Sequence, residues 1–167
     1  FINFKMESMY DFPVRDGRRI PKDPYREIQE GSAGGVKLLI GSNANEWNYW
    51  KQEIPDFENN FPPRWEELMA DLDQEKMEKY MSLRGDKPRL EQVLDFANDM
   101  AFRIPAVIMA EDQSTLGDTY MYYFKQPSAI EGFGACHAVE LAYVFHNLEG
   151  MATIFTGENP SEKLADM

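Results

Sequence analysis

Only two histidines occur in the 167 residues, His137 and His146, and an imidazole is the side chain best placed to pass a proton near neutral pH. His137 stands in FGACHAVE, directly after a thiol, Cys136, and three residues before a carboxylate, Glu140. A general base of this kind works best when a buried carboxylate holds its other ring nitrogen, fixing the tautomer and stabilising the imidazolium. Glu46, in GSNANEW just beyond the predicted strand VKLLI, stands where such a carboxylate could sit. By residue type alone both also fit ordinary roles, His137 as a structural histidine and Glu46 as a loop carboxylate in water. His146, in VFHNL, reads as a helix-end or surface residue, where a cation suits the negative end of the helix dipole.

A nucleophile is harder to find. Cys136 beside a histidine suggests a thiol enzyme, but adjacent side chains in an extended loop point apart, so Cys136 is expected to be a small buried filler. A serine nucleophile on a strand-to-helix elbow needs the pattern G-x-S-x-G. Ser32, in GSAGG, has Glu30 where the first Gly belongs, and it follows an expected helix and precedes a strand, the reverse of the elbow order. None of Ser8, Ser42, Ser82, Ser114, Ser128 and Ser161 lies in an elbow either. No nucleophilic serine is expected in this chain.

The elements that must position Glu46 and His137 follow from the apolar patterning. Residues 11–25 carry three prolines and the Asp16-Gly17 pair and predict an irregular surface segment. A short helix is expected over Tyr25 to Glu30, stopped by Gly31. The run VKLLI, Val36 to Ile40, lies between glycines and predicts a strand buried on both faces, as in a parallel sheet. Helical spacing covers Arg64 to Met81 and Pro88 to Glu111, with a break near Gly85 to Pro88 and a kink or division at Pro105. Thr119 to Lys125, TYMYYFK, predicts a second strand. Gln126 to Ala135 reads as a Pro/Gly loop and Val139 to Leu148 as a short helix. The order places Glu46 beyond the first strand and His137 beyond the second, and in open α/β sheets chemistry gathers at the carboxyl ends of strands.

Four segments, DFPVRDGRRIPKDP, VKLLIGSNANEWNYW, FRIPAVIMAEDQ and TYMYYF followed by GFGACHAVELAYVF, resemble the type-B carboxylesterase and cholinesterase-like family in that family's order. The resemblance implies an α/β fold: the C-terminal part of an α/β-hydrolase sheet, with inserted helices between the acid-bearing and His-bearing strands. Residues 1–167 would then form the C-terminal portion of one carboxylesterase catalytic domain whose nucleophile-bearing N-terminal portion is absent. Two further features agree with a fragment: FINFKMES lacks an initiator Met, as expected of a sequence that begins mid-protein, and the family resembled continues beyond PSEKLADM into a final helix. By resemblance Glu46 corresponds to the catalytic acid, with Asn45 and Trp47 standing where the family usually has Asp and Gly. His137 corresponds to the catalytic His of G-x-x-H-x-x-E-L, matched by Gly134, His137, Glu140 and Leu141. The two are 91 residues apart and can meet only through the fold. Glu140 reads either as an orienting residue behind His137 or as an ordinary structural hydrogen-bonder. Tyr49 and Trp50 match gorge-lining aromatics of relatives, or are core residues.

The function implied is carboxylic ester hydrolysis through an acyl-enzyme in the intact protein, with this chain alone inactive. Its partners would be a small-molecule ester and the missing N-terminal portion. Two alternatives stay open: a non-catalytic cholinesterase-like binding or adhesion protein, and an inactive fragment that self-associates as a homo-oligomer. No metal or organic cofactor is implied. A formal charge of −12 repels phosphate backbones and anionic headgroups, which argues against nucleic acid and membrane surfaces as partners. No stretch reaches the roughly 18 apolar residues a membrane-spanning helix needs, and the opening residues do not read as a signal peptide. A single cysteine leaves the compartment open, cytoplasmic or secreted.

Overall fold

A computed structural model describes residues 15–57 and 73–167. FINFKMES with Ser8, residues 11–14 of the proline-bearing segment and residues 64–72 of the expected helix over Arg64 to Met81 lie outside the described residues. The chain divides into two compact units, one from Phe1–Leu39 and Ile108–Tyr120, the other from Ile40–Val107 and Met121–Met167.

In the first unit, Asp16 accepts the backbone N–H groups of Arg18, Arg19 and Ile20 at 2.8–3.1 Å, closing a tight turn over Gly17. Helix α1 (Pro24–Gln29) starts with Asp23 capping the Arg26 N–H and Pro24 at the first helical position. The GSAGG segment then stops it: Ser32 N–H bonds Glu27 O, and Gly31 and Gly35 both have positive φ. Ser32 is thus an exposed turn residue. The buried Gln113 amide donates to Ala33 O and Val36 O at 2.9 and 2.7 Å, replacing ladder bonds with a side chain.

That capture of Val36 explains why strand β1 runs Leu38–Asn43 and not from residue 36. β2 (Thr119–Phe124) is its neighbour in a two-stranded sheet. Leu38 N–H bonds Asp118 O, and six residues on Ala44 N–H bonds Phe124 O, the register of a parallel pair. The Tyr122 ring lies over Gly41, where a Cβ would sit 2.5 Å from the ring. The expectation of a strand buried on both faces is overturned in its apolar half: Val36 is 55% and Leu39 70% exposed. Two strands alone leave faces that only a further layer can cover, and Tyr120 to Tyr123 of β2 are exposed as well.

The second unit holds the helices: α2 (Asn48–Glu53), α3 (Gln74–Ser82), α4 (Arg89–Asn98), α5 (Ile104–Ser114, its first turn here), α6 (Val139–Val144), α7 (Thr153–Thr156) and α8 (Glu162–Ala165). On α4, Val93, Phe96 and Ala97 recur at helical spacing and bury against Met77 of α3, with Trp47 and Tyr80 alongside. A second cluster gathers Phe133, Ala135, Cys136, Val139, Ala142 and Tyr143 around the start of α6. The expected stretch Pro88 to Glu111 is divided ahead of Pro105 into α4 and α5. Lacking an N–H for the Ala101 carbonyl, Pro105 is preceded by a π-helical turn, Asp99–Arg103, in which Ile104 N–H reaches back to Asp99 O. Among the described residues no helix is long and apolar enough to cross a membrane.

Candidate active site

The site forms within the second unit, where the loop after β1 meets the loop after β2. Asn45 N–H donates to Ala135 O at 2.9 Å, and Ala135 N–H returns a bond to Asn45 Oδ1 at 3.1 Å. Asn45 therefore ties the two loops together with its backbone and its side chain. Gly134 has φ +57, and a Cβ there would lie 2.5 Å from Asn45 Oδ1, so both conformation and space require glycine. His137 N–H then bonds Glu46 O at 3.3 Å.

Side-chain geometry follows from this clamp. His137 Nδ1 lies 2.8 Å from Glu46 Oε2. Glu46 is 4% exposed, and its other oxygen accepts the Asn43 N–H at 2.6 Å, so the carboxylate is held at both ends. The hydrogen bond to Glu46 raises the His137 pKa above its ordinary 6.5; burial opposes this, and the charges of Glu46 and Glu140 add to it. The imidazole side chain is 44% exposed, so one edge faces out of the protein.

Behind the pair sits Asn43, buried at 3% exposure, a residue to which sequence reasoning assigned no role. Its amide nitrogen donates to Cys136 O at 2.9 Å and to Glu140 Oε2. Glu140 thus supports the His-bearing segment through Asn43. Ala138, between them, takes φ +65, an uncommon conformation for a residue with a Cβ and one that recurs where side chains are aimed at a site. Cys136 is fully buried and burial pushes its thiol up to about 11, which suits a filler and removes the thiolate a nucleophile needs.

The two aromatic candidates separate. Trp50 packs on His137 with ring centroids 4.9 Å apart, whereas Tyr49 packs on Phe133 and Phe155 in the core around α6. Phe102, from the π turn, also meets the imidazole, at 5.4 Å, and stacks on Trp50 at 6.4 Å and 19°. Nothing in the local sequence marks Phe102; its approach depends on the π turn. His146 lies past the end of α6, exposed, with Nδ1 3.6 Å from Asp166. Among the described residues no group of three or more His, Cys, Asp or Glu could hold a metal ion.

A carboxylate-held imidazole with one open edge can accept and return a proton. Comparisons with known proteins give it a family context. The family model described as "Carboxylesterase family" matches residues 3–167. Para-nitrobenzyl esterase of Bacillus subtilis (strain 168) is 32% identical over 165 residues, covering 90% of this chain and 30% of that protein. Carboxylesterase 1C of Rattus norvegicus is 29% identical over 192 residues, covering 97% and 32%. Among solved structures, a PNB esterase superposes with TM-score 0.63 at 29% identity, over 92% of this chain and 31% of the other. A thermophilic PNB esterase does so with TM-score 0.63 at 28% identity, over 88% and 30%. These neighbours have the α/β-hydrolase fold, and the chain spans about a third of the length of the curated relatives it matches.

Proposed function

The chain belongs to the carboxylesterase family, and on that premise we propose that Glu46 and His137 are the acid and the base of a Ser-His-Glu triad for carboxylic ester hydrolysis. The observation that carries this is the 2.8 Å contact between His137 Nδ1 and the buried Glu46 carboxylate. With Nδ1–H donated to Glu46, Nε2 keeps its lone pair for a serine hydroxyl. As the serine oxygen attacks the ester carbonyl carbon, its proton passes to Nε2, and Glu46 stabilises the resulting imidazolium. Collapse of the tetrahedral intermediate breaks the C–O bond, and the leaving alkoxide takes the proton from Nε2. Water then repeats the sequence on the acyl-enzyme. The serine comes from a portion of the protein outside these 167 residues, so the chain alone is inert. Aryl esters of the kind named for the para-nitrobenzyl esterase are the first substrates to try.

The test is to assay the purified chain on a small activated aryl ester, alone and mixed with the N-terminal portion of the same protein, with His137→Ala as control. Hydrolysis that appears on mixing and vanishes in the variant is the expected result. Robust hydrolysis by the chain alone would overturn the missing-serine reading. A folded mixture without activity would leave a binding or adhesion protein instead.

A further inference from the structure

The His137 imidazole is held by more than Glu46. Phe102 and Trp50 approach it at 5.4 and 4.9 Å between centroids, tilted by 46° and 36°, and the two aromatic rings stack on one another. They come from separate elements, Trp50 from α2 and Phe102 from the π turn. That turn is pinned at both ends. Asp99 accepts the Tyr80 hydroxyl at 2.6 Å and pairs with Arg84 at 2.9 Å, while Arg84 lies 3.7 Å over the Tyr80 ring. At the other end Arg103 lies 4.7 Å over the ring of Tyr123 on β2, the strand that leads to His137. A π turn exposes backbone carbonyls and costs helix regularity, so it persists only where its surroundings hold it, and such turns concentrate at functional sites.

We propose that the π turn Asp99–Arg103 is a positioning device for His137, with Phe102, backed by Trp50, as an aromatic seat that orients the imidazole and stabilises its cation. The proposal rests on the triad reading above. A cation within about 6 Å of an aromatic centroid is attracted by the ring's quadrupole, so the seat favours the protonated imidazole that forms as the serine attacks. The charged and titratable groups around His137 are accounted for separately. Glu46 and Glu140 act on it from the acid loop and from α6, and the same two carboxylates act on Cys136 of its own loop and on Tyr122 of β2. Asp99 and Arg103, on the π turn itself, are engaged with Tyr80, Arg84 and Tyr123. Phe102 and Trp50 carry no charge, so their effect is distinct from that of Glu46.

The full-length protein that contains this chain allows the test, using 13C- and 15N-labelled histidine, with the His137 signals identified by their loss in His137→Gln. In Phe102→Leu and in Phe102→Met, which keep an apolar side chain without a ring, the His137 pKa is expected to fall by about half a unit. The ring-current displacement of its carbon-bound protons should collapse too. kcat should fall roughly 10- to 100-fold while KM stays within about threefold. Phe102→Tyr should restore all three, and Asp99→Asn should move them in the same direction by less. A His137 signal and pKa indifferent to removal of the Phe102 ring would overturn the seat. Wild-type protein that hydrolyses no ester, with the imidazole still answering to Phe102, would overturn the triad reading and leave the ring contact standing.

Discussion

The two ends of strand β1 invert the usual rule of burial. Its apolar beginning is open, with Leu39 70% exposed, while its polar end is closed, with Ser42, Asn43 and then Glu46 all below 5%. The second strand and its loop share the open beginning and closed end, with Tyr120 63% exposed and Ala135 and Cys136 at 1% or less, although what is closed there is apolar. Apolar strand faces need a covering layer, and two strands cannot supply one to each other. The strand ends need only each other. Asn45 bonds Ala135, Glu46 bonds His137 and Asn43 bonds the Cys136 carbonyl, and each of these joins the end of β1 or the loop after it to the loop after β2. Burial is tolerable for the Glu46 carboxylate and the Asn43 amide nitrogen because their hydrogen bonds are supplied in place, whereas the Ser42 hydroxyl and Asn43 Oδ1 are buried without a partner. The candidate catalytic pair is thus a local construction, while the strand faces depend on whatever packs on them.

That contrast can be broken most severely at the carboxylate. Glu46→Gln keeps the shape and removes the charge that sets the imidazole's tautomer. In the protein supplied with its serine, kcat on an aryl ester is expected to fall roughly 10³- to 10⁴-fold, as when the analogous acid of a triad is amidated. A loss under about tenfold would show that Glu46 does not orient His137.

Asn43→Ala tests whether the polar end is held by its own network. The substitution takes the side-chain donor from the Cys136 carbonyl, which keeps the Val139 N–H, and from a part-buried Glu140 oxygen, and the two lost hydrogen bonds, one of them to a charged group, cost about 1–3 kcal/mol. Urea unfolding monitored by tryptophan fluorescence should show the midpoint fall with the slope unchanged. An unchanged midpoint would mean that Asn43 is a passenger.

Acidity sharpens the comparison further. Because the folded His137 pKa is raised above 6.5, the folded state binds the proton more tightly than the unfolded chain does. This contribution to stability is complete below pH 6.5 and disappears as pH rises through the higher folded value. Stability measured across that window should decline more steeply for the wild type than for His137→Gln. A His137 imidazole titrating at or below 6.5 by NMR would contradict it. Under the proposed mechanism the neutral imidazole is the base, so kcat/KM should rise through the same raised pKa.

The smallest effect belongs at the open end. Leu39→Ser removes an apolar side chain that is already 70% exposed, so the stability of the chain should change by less than about 0.5 kcal/mol. A destabilisation of 2 kcal/mol in the isolated chain, read by the same urea titration, would mean that this face is covered in solution.

Much of the architecture was legible before any coordinates. The prolines and Gly31 bracketed α1, the aromatic β-branched run marked β2 to within one residue, and the motif around Gly134, His137 and Glu140 picked out the segment that meets Glu46. These features are local: caps, glycine stops and alternation act through neighbours in the chain. Gly134 shows how such a motif carries physics, since a side chain there would strike Asn45. Pro105 was read correctly as a point of kink or division, and what the sequence did not show is that the division is a π turn, because the backbone can absorb a missing N–H by widening a turn as well as by bending.

What the sequence by itself determined is the inventory and its order: strand, acid, helices, strand, histidine. The tertiary structure alone decided that Glu46 and His137, 91 residues apart, share a 2.8 Å bond. It also decided that Trp50 faces the imidazole while Tyr49 faces the core, that Phe102 meets the imidazole and that Asn43 bonds the Cys136 carbonyl. Adjacent aromatics look alike in one dimension, and which ring meets which partner depends on elements far away in the chain. The exposure of Leu39 has the same origin: an apolar run specifies that a strand forms, and only the layers around it decide whether it is buried.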